Sequence, residues 1–195
     1  MFLENPAYND EQFGWIEVIC GSMFSGKTEE LIRRIKRAQI ANQKFKVFKP
    51  KVDSRSKKFI ESHDDSKLKS KEVNLSYEIL DHVEDCDVVA IDEAQFFDEK
   101  IIEVCNTLAN NGIRVIVAGL DMDYMGNPFG PMPSLMAISE YVTKVHAICN
   151  KTGNLANYSF RKNQNKEIVE IGEKDKYEPL SRAAFYKNMK KNKAK

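Results

Sequence analysis

The sequence predicts an α/β fold in which helices flank a parallel sheet. Residues 15–20 form a short β-type run that leads into a glycine-rich loop and then an amphipathic helix. Residues 86–92 and 113–120 have the unbroken hydrophobicity of strands that are buried on both faces. Residues 98–110 between them have a helical pattern with an Asn-Gly stop signal after it. This alternation of strands and helices is typical of parallel sheets with right-handed crossovers.

The loop after the first strand has the pattern G-x-x-x-x-G-K-T of a phosphate-binding loop. It consists of Gly21, Ser22, Met23, Phe24, Ser25, Gly26, Lys27 and Thr28. The glycines let successive backbone N–H groups turn toward a phosphate without a Cβ in the way. The lysine can reach the β and γ phosphates, and the threonine hydroxyl can bind Mg²⁺. Because strand and helix flank the loop, we expect a RecA-like phosphate-loop fold that binds ATP.

The chain order predicts four segments. We expect a flexible N-terminal arm (1–12), a nucleotide-binding domain (13–148), a small C-terminal domain (149–186) and a basic disordered tail (187–195). The small domain is predicted to contain a β-hairpin formed by residues 158–161 and 167–171, followed by irregular chain up to residue 186.

Other elements of the main domain are predicted less directly. Residues 45–49 are expected to form a second strand, and residues 54–71, dense in charge, a mobile surface loop. Residues 141–149 are expected to form the last core strand, with His146 packed inside it.

Composition excludes several classes of protein. The 195 residues include 30 basic and 29 acidic side chains, so the chain lacks the basic surplus of a nucleic-acid-binding protein. It has no long apolar run for a membrane span and no signal-peptide pattern. Its four cysteines form no C-x-x-C pair and are predicted to be reduced core residues, which favours a cytoplasmic protein.

Two adjacent acids follow the buried strand that ends at residue 91. Ligands of open parallel sheets bind at the carboxyl ends of the strands, so Asp92 and Glu93 are expected beside the phosphate loop. Asp92 is predicted to bind Mg²⁺, directly or through water, and Glu93 to act as the base that accepts a proton from an acceptor hydroxyl. The alternative is that Glu93 only caps the next helix, but Asp98 is better placed for that role.

Two other functions remain open at this point. The run Asp92, Glu93, Ala94 and Gln95 is similar to the D-E-A-x box of helicases, which would make the chain a phosphate-loop ATPase acting on nucleic acid. Such enzymes need two such domains and an arginine that reaches across from the second, and this chain is too short for that and is not basic overall. A binding module that uses nucleotide as a switch is a third possibility. Aromatic side chains in the loop at residues 121–133 favour instead a small planar substrate.

With these motifs assembled, the chain resembles the type II thymidine kinases from residue 16 to about residue 177. The resemblance rests on the phosphate loop followed by Glu29, Glu30 and Leu31, and on five further stretches: residues 48–55, 91–97, 118–121, 128–130 and 175–177. It implies transfer of the γ-phosphoryl group of ATP to the 5′-hydroxyl of thymidine, with deoxyuridine as an alternative acceptor, and with Mg²⁺.

The resemblance also implies roles for individual residues. Glu93 would be the catalytic base, Arg55 would help hold the 5′-oxygen, and Asp53 would lie near the sugar. The ATP site would extend from the phosphate loop to residues 92–95. The thymine pocket would be lined by Met23, Phe96, Leu120, Tyr124 and Phe129, and would be covered by a lasso near Ile168 and Tyr177. The family further implies a homotetramer and feedback inhibition by thymidine triphosphate.

The chain departs from the family at the zinc site of the lasso domain. The family holds zinc with two C-x-x-C pairs, whereas the corresponding residues here are Cys149, Thr152, Ser181 and Ala184. Hydroxyl groups are poor substitutes for thiolates as zinc ligands. We therefore expect no structural zinc, and a small domain held by apolar contacts.

Overall fold

The computed structural model describes residues 13–52, 59–61, 67–162 and 176–193. The strands are β1 Ile16–Cys20, β2 Phe45–Pro50, β3 Phe59–Glu61, β4 Lys67–Lys69, β5 Lys71–Val73, β6 Val88–Ile91, β7 Arg114–Gly119, β8 Tyr141–Lys144, β9 Ala147–Ile148, β10 Leu155–Ala156, β11 Tyr158–Arg161 and β12 Tyr177–Leu180. The helices are α1 Lys27–Ile40, α2 Ile101–Asn110, α3 Met132–Ile138 and α4 Arg182–Lys193, with 3₁₀ turns at Ser76–His82 and Ala94–Phe96.

The centre of the fold is a six-stranded sheet in the order β5-β2-β6-β7-β1-β8, and every neighbouring pair in it is parallel. The strands β1 and β6 are buried along their whole length, as their unbroken hydrophobicity predicted. The α/β prediction is therefore confirmed, and the carboxyl ends of β1, β6 and β7 meet at one edge.

Helices cover both faces of this sheet. On one face α1 buries Leu31, Ile35 and Ala38 against β1, β6 and β7, which is the helical face that the sequence predicted. On the other face α2 buries Ile101 and Leu108 in a second apolar cluster, where α3 packs beside it. Each face of the sheet thus has its own core.

The C-terminal residues form a small unit with a third apolar cluster. The strands β9 and β10 pair antiparallel, and so do β11 and β12. Among the described residues, the partner of β11 is β12, in a stretch that the sequence predicted to be irregular. The stretch predicted as that partner, residues 167–171, lies outside the described residues.

Helix α4 corrects the prediction of irregular chain followed by a disordered tail from residue 187. It runs from Arg182 to Lys193, and it buries Phe185 completely and Ala184 almost completely. Met189 packs against the same cluster one turn later. The lysines and asparagines that suggested a tail are therefore the polar face of a helix that three apolar side chains anchor.

Two further predictions fail in the main domain. The described part of the predicted mobile loop at residues 54–71 contains β3 and β4, and Ile60 of β3 is buried against the α1 side of the sheet. The predicted strand at residues 141–149 breaks between β8 and β9, and His146 lies exposed in that break. At this break Val145 still donates its N–H to the carbonyl of Cys20, and its own carbonyl oxygen lies against Gly21 of the phosphate loop.

Among the described residues, no helix has the length and hydropathy needed to cross a membrane.

Candidate functional site

The phosphate loop lies between β1 and α1, at the carboxyl edge of the sheet. Gly26 is the N-cap residue just before α1 and has a left-handed φ of 84°. Gly21 has a φ of 149°, and a Cβ there would lie 2.1 Å from the carbonyl oxygen of Val145. The Lys27 ammonium donates to the carbonyl of Ser22, at 2.8 Å, so it lies folded over the loop. The motif glycines are therefore required by backbone geometry and by close packing.

Asp92 and Glu93, the acid pair, directly follow β6 beside this loop. Asp92 is buried, and its Oδ2 lies 3.4 Å from the hydroxyl of Thr28, which donates to it. The other carboxylate oxygen of Asp92 accepts the backbone N–H of Glu93 at 2.9 Å. The structure thus brings together the two side chains predicted to hold Mg²⁺. Oxygen atoms from a hydroxyl and a carboxylate are of the type that Mg²⁺ prefers, so these residues fit the ion.

Glu93 has a left-handed backbone, with φ 52° and ψ 41°. Such a conformation costs a non-glycine residue about 1–2 kcal/mol and is concentrated at functional sites. Its side chain makes no capping hydrogen bond with the 3₁₀ turn that follows. Asp98, by contrast, accepts the N–H of Lys100 just before α2. The geometry therefore does not support the alternative in which Glu93 serves as a cap.

Gln95 connects Glu93 to the next strand. Its Nε2 donates to Glu93 Oε2 at 2.5 Å, and its Oε1 accepts the N–H of Leu120 at 2.8 Å. Gln95 is 3% exposed, so both bonds are shielded from water. The amide group fixes the position of the Glu93 carboxylate relative to the end of β7. The sequence placed Gln95 in the ATP site without predicting this contact.

Three of the predicted pocket residues lie in the 3₁₀ turn after β6, directly after β7, and in the loop between β7 and α3. Phe96 and Phe129 meet edge to face with ring centroids 5.6 Å apart. Leu120 follows β7 directly, and its N–H is held by Gln95. Asp123 stabilises the loop by accepting the N–H groups of Met125 and Asn127. We call Phe96, Leu120, Tyr124 and Phe129 the aromatic wall.

The small C-terminal unit contacts both the phosphate loop and the aromatic wall. The Ser22 hydroxyl donates to the carbonyl of Ala156, and the N–H of Met23 donates to the hydroxyl of Ser159 at 2.9 Å. The side chain of Arg161 lies over the ring of Tyr124. Neither Ser159 nor Arg161 was predicted as a site residue. The sequence pattern that could have indicated them is the alternation of polar residues with Tyr158 and Phe160 along β11. In the structure all four residues of the strand are buried.

Three predicted site residues, Asp53, Arg55 and Ile168, lie outside the described residues, as does most of the predicted lasso. Tyr177 is described at the start of β12, where it is buried.

The four residues at the family's zinc positions do not fit the metal. Thr152 donates its hydroxyl to that of Ser181 at 3.1 Å, and Ala184 has no ligand atom. Burial raises the pKa of Cys149, but hydrogen bonds from Thr152, from the backbone N–H groups of Ser181 and Lys151, and from the Ser181 hydroxyl lower it to about 6. A single thiolate with two hydroxyl groups is not a zinc donor set. Among the described residues, no three His, Cys, Asp or Glu side chains are grouped to hold a metal.

A parallel sheet with a phosphate loop after β1 and an acid at the end of β6 defines a phosphate-loop nucleotide-binding protein. The family model for thymidine kinase matches residues 14–185. Curated relatives named thymidine kinase include one from Bacteroides thetaiotaomicron, 55% identical over 95% of this chain and 94% of the relative. Another, from Rhodothermus sp. (strain ITI 518), is 57% identical over 88% of this chain and 81% of the relative. A third, from Porphyromonas gingivalis, is 52% identical over 95% and 91%. The chain belongs to the thymidine kinase family.

Proposed function

We propose that this protein transfers the γ-phosphoryl group of ATP to the 5′-hydroxyl of thymidine, giving thymidine monophosphate and ADP. The observation that carries the proposal is that the phosphate loop, the acid pair and the aromatic wall adjoin the same edge of one sheet. The match of the thymidine kinase family model to residues 14–185 supports the substrate.

The phosphate loop would hold the triphosphate of ATP. Its backbone N–H groups and the N-terminal end of α1 supply donors and a positive dipole. The Lys27 ammonium, which donates to Ser22, would exchange that carbonyl for the phosphate oxygens and stabilise charge on the transferred group. Thr28 and Asp92 would hold Mg²⁺, whose charge would offset that of the phosphates.

Glu93 would act as the base. As the bond between the 5′-oxygen and the γ-phosphorus forms and the bond to the β-phosphate oxygen breaks, the hydroxyl proton passes to the Glu93 carboxylate. Gln95 would hold that carboxylate in position through its amide N–H. Catalysis of this kind depends on the position of the base. The two hydrogen bonds of Gln95, to Glu93 after β6 and to Leu120 after β7, would supply that positioning.

The aromatic wall would bind the thymine ring. Flat apolar side chains suit a planar base. Met23, whose N–H donates to Ser159, and Tyr177, which begins β12, would border the pocket where the C-terminal unit meets the main domain. The resemblance adds Asp53 at the sugar, Arg55 at the 5′-oxygen and Ile168 in a cover over the base. Thymidine and deoxyuridine differ by one methyl group, which limits discrimination by pocket size to about 1–3 kcal/mol.

The proposal extends to the properties that the family resemblance implies, a homotetramer and inhibition by thymidine triphosphate. A cytoplasmic location is supported by the four cysteines, all of which are free. The alternative of a helicase-like ATPase is not favoured, since the family match covers the residues of the D-E-A-x-like run.

The test is a transfer assay with γ-labelled ATP and thymidine, using Glu93→Gln and the matched control Glu99→Gln. Glu99 is an exposed carboxylate just before α2. Loss of a general base costs about 10²–10⁴-fold in kcat, so Glu93→Gln should lose that much while Glu99→Gln stays at the wild-type rate. Equal rates in both variants would remove Glu93 from the mechanism, and absence of transfer by the wild type would refute the proposed activity.

A further inference from the structure

Arg161 lies between the aromatic wall and the C-terminal unit. Its guanidinium carbon lies 3.8 Å from the centroid of the Tyr124 ring. Its Nε and Nη2 both donate to the hydroxyl oxygen of Tyr177, at 3.0 and 2.7 Å. The residue is 3% exposed. A buried guanidinium with a stacked ring on one side and a paired hydroxyl on the other is held in one orientation.

The two tyrosines come from separate parts of the molecule. Tyr124 belongs to the loop after β7, and Tyr177 begins β12 in the C-terminal unit. Arg161 is on β11, whose register places it opposite Tyr177. The guanidinium therefore links the main sheet to the C-terminal unit at the place where the two would enclose a base.

The alternation along β11 supports a role for Arg161 beyond packing. Tyr158 and Phe160 belong to the apolar cluster of the C-terminal unit, where they pack with Phe185. Ser159 and Arg161 point to the other side, and contact the phosphate loop and the aromatic wall, respectively. One face of the strand thus holds the unit together, and the other face meets the two halves of the candidate site.

We propose that Arg161 is a positioning residue that fixes the spacing and tilt of Tyr124 and Tyr177 and thereby sets the affinity for the nucleoside. It does so without contacting the reacting atoms, so it governs nucleoside binding and leaves phosphoryl transfer unchanged. This inference rests on the proposed function, because it takes the nucleoside as the occupant of the space that the two rings border.

Lysine is a partial substitute in this position. Its ammonium keeps the charge over the ring, but it lacks the planar fork that donates two N–H groups to one oxygen while stacking. The variants Arg161→Met and Arg161→Lys therefore form a graded series. Arg182→Met is the matched control, because Arg182 also lies over a tyrosine ring, 5.2 Å from the centroid of Tyr158, but on the exposed surface of α4.

The experiment measures KM for thymidine, KM for ATP and kcat in each variant, with thymidine Kd by calorimetry and Tm by scanning calorimetry. Arg161→Met should raise KM and Kd for thymidine by about tenfold or more, because Tyr124 and Tyr177 lose the group that holds them in place before the nucleoside binds. We expect kcat and the KM for ATP to stay within about twofold of wild type, the usual separation for a lost binding contact. Arg161→Lys should fall between, and Arg182→Met should match the wild type.

An unchanged KM and Kd for thymidine in Arg161→Met would overturn the inference. Parallel rises in both KM values with a lowered Tm and no rescue by lysine would also overturn it, since they would mark a purely structural residue. If Arg161→Met does not fold, the test rests on Arg161→Lys. A wild-type KM for thymidine in the folded lysine variant would then overturn the inference. Failure of the wild type to phosphorylate thymidine refutes the proposed function itself, and the inference with it.

Discussion

The buried ion pairs around Glu17 of β1 provide a direct test of what holds β1 to α1 and β7. The Glu17 carboxylate is 3% exposed and accepts three side-chain donors: Arg34 of α1, Arg114 of β7, and Trp15, each at 2.7 Å. Burial raises the pKa of Glu17, but the hydrogen bonds from Arg114 and Trp15 and the charges of Arg114 and Arg34 outweigh it and lower the pKa. The variant Glu17→Gln keeps the shape and removes the charge.

The magnitude follows from how these donors are arranged. Arg114 and Trp15 share Oε1, and Arg34 is bound by Oε2. A glutamine amide has one acceptor oxygen, so its NH₂ group must face at least one donor. Removing one partner of a buried pair costs about 3–5 kcal/mol. Arg34 also bonds to Glu30 and Thr143, which lessens the loss. We expect a loss of about 2–4 kcal/mol, or about 4–16 °C in Tm for a chain of this size.

The assay is urea unfolding at pH 7, with Arg33→Met as the control. Arg33 pairs with Glu30 on the same helix but is 57% exposed, so its removal should cost under about 1 kcal/mol. Because the folded pKa of Glu17 is lowered, its contribution is present at neutral pH and is lost as the pH falls through that pKa. Glu17→Gln should therefore flatten the acid limb of the stability curve. If Glu17→Gln and Arg33→Met lose equal free energy of unfolding, the buried pairs of Glu17 contribute no more than an exposed pair.

The remaining predictions concern the loops and the C-terminal unit. Gly126→Ala should destabilise by about 1–3 kcal/mol in urea unfolding, because its φ is 84° and a Cβ would lie 3.2 Å from the Tyr158 ring; a wild-type midpoint would contradict this. The pKa of Cys149 is lowered from 9.0 to about 6 in the folded protein. Its contribution to the free energy of unfolding should therefore grow between pH 6 and 9. The Tm difference between wild type and Cys149→Ala should rise over that range, and a flat difference would mean that the thiolate is not stabilised. A zinc-selective chelator should leave the wild-type Tm unchanged, whereas a drop would show a bound metal. Asp92→Asn should raise the Mg²⁺ concentration needed for half-maximal transfer about tenfold or more, and an unchanged requirement would exclude Asp92 as a ligand.

The sequence predicted the central sheet because its signals there are local. Strands buried on both faces are unbroken apolar runs, as in β6, and the phosphate loop is a contiguous motif between strand and helix. The same holds for Asp92 and Glu93, which follow β6 directly. A parallel sheet brings the ends of its strands to one edge, which is why Asp92 lies beside Thr28, while the roles of the two acids stay predictions.

The elements that were predicted wrongly depend on distant contacts. Helix α4 has a weak apolar pattern and is anchored by the cluster around Phe185, which forms only when β9 to β12 are in place. The strand β3 places Ile60 in the apolar cluster on the α1 side of the sheet, although the surrounding segment is dense in charge. Arg161 could not be assigned because its two partners lie 37 and 16 residues away in the chain. Tertiary packing overrides local propensity at each of these places.

The central claim is that this chain phosphorylates thymidine, and the most direct measurement follows the label of γ-labelled ATP in the presence of Mg²⁺ and purified wild-type protein. Thymidine and single-stranded DNA are supplied in separate reactions. We expect labelled thymidine monophosphate, formed one for one with ADP, and no stimulation of ATP turnover by DNA. ATP hydrolysis that DNA stimulates, with the label released as inorganic phosphate and none in thymidine monophosphate, would contradict it.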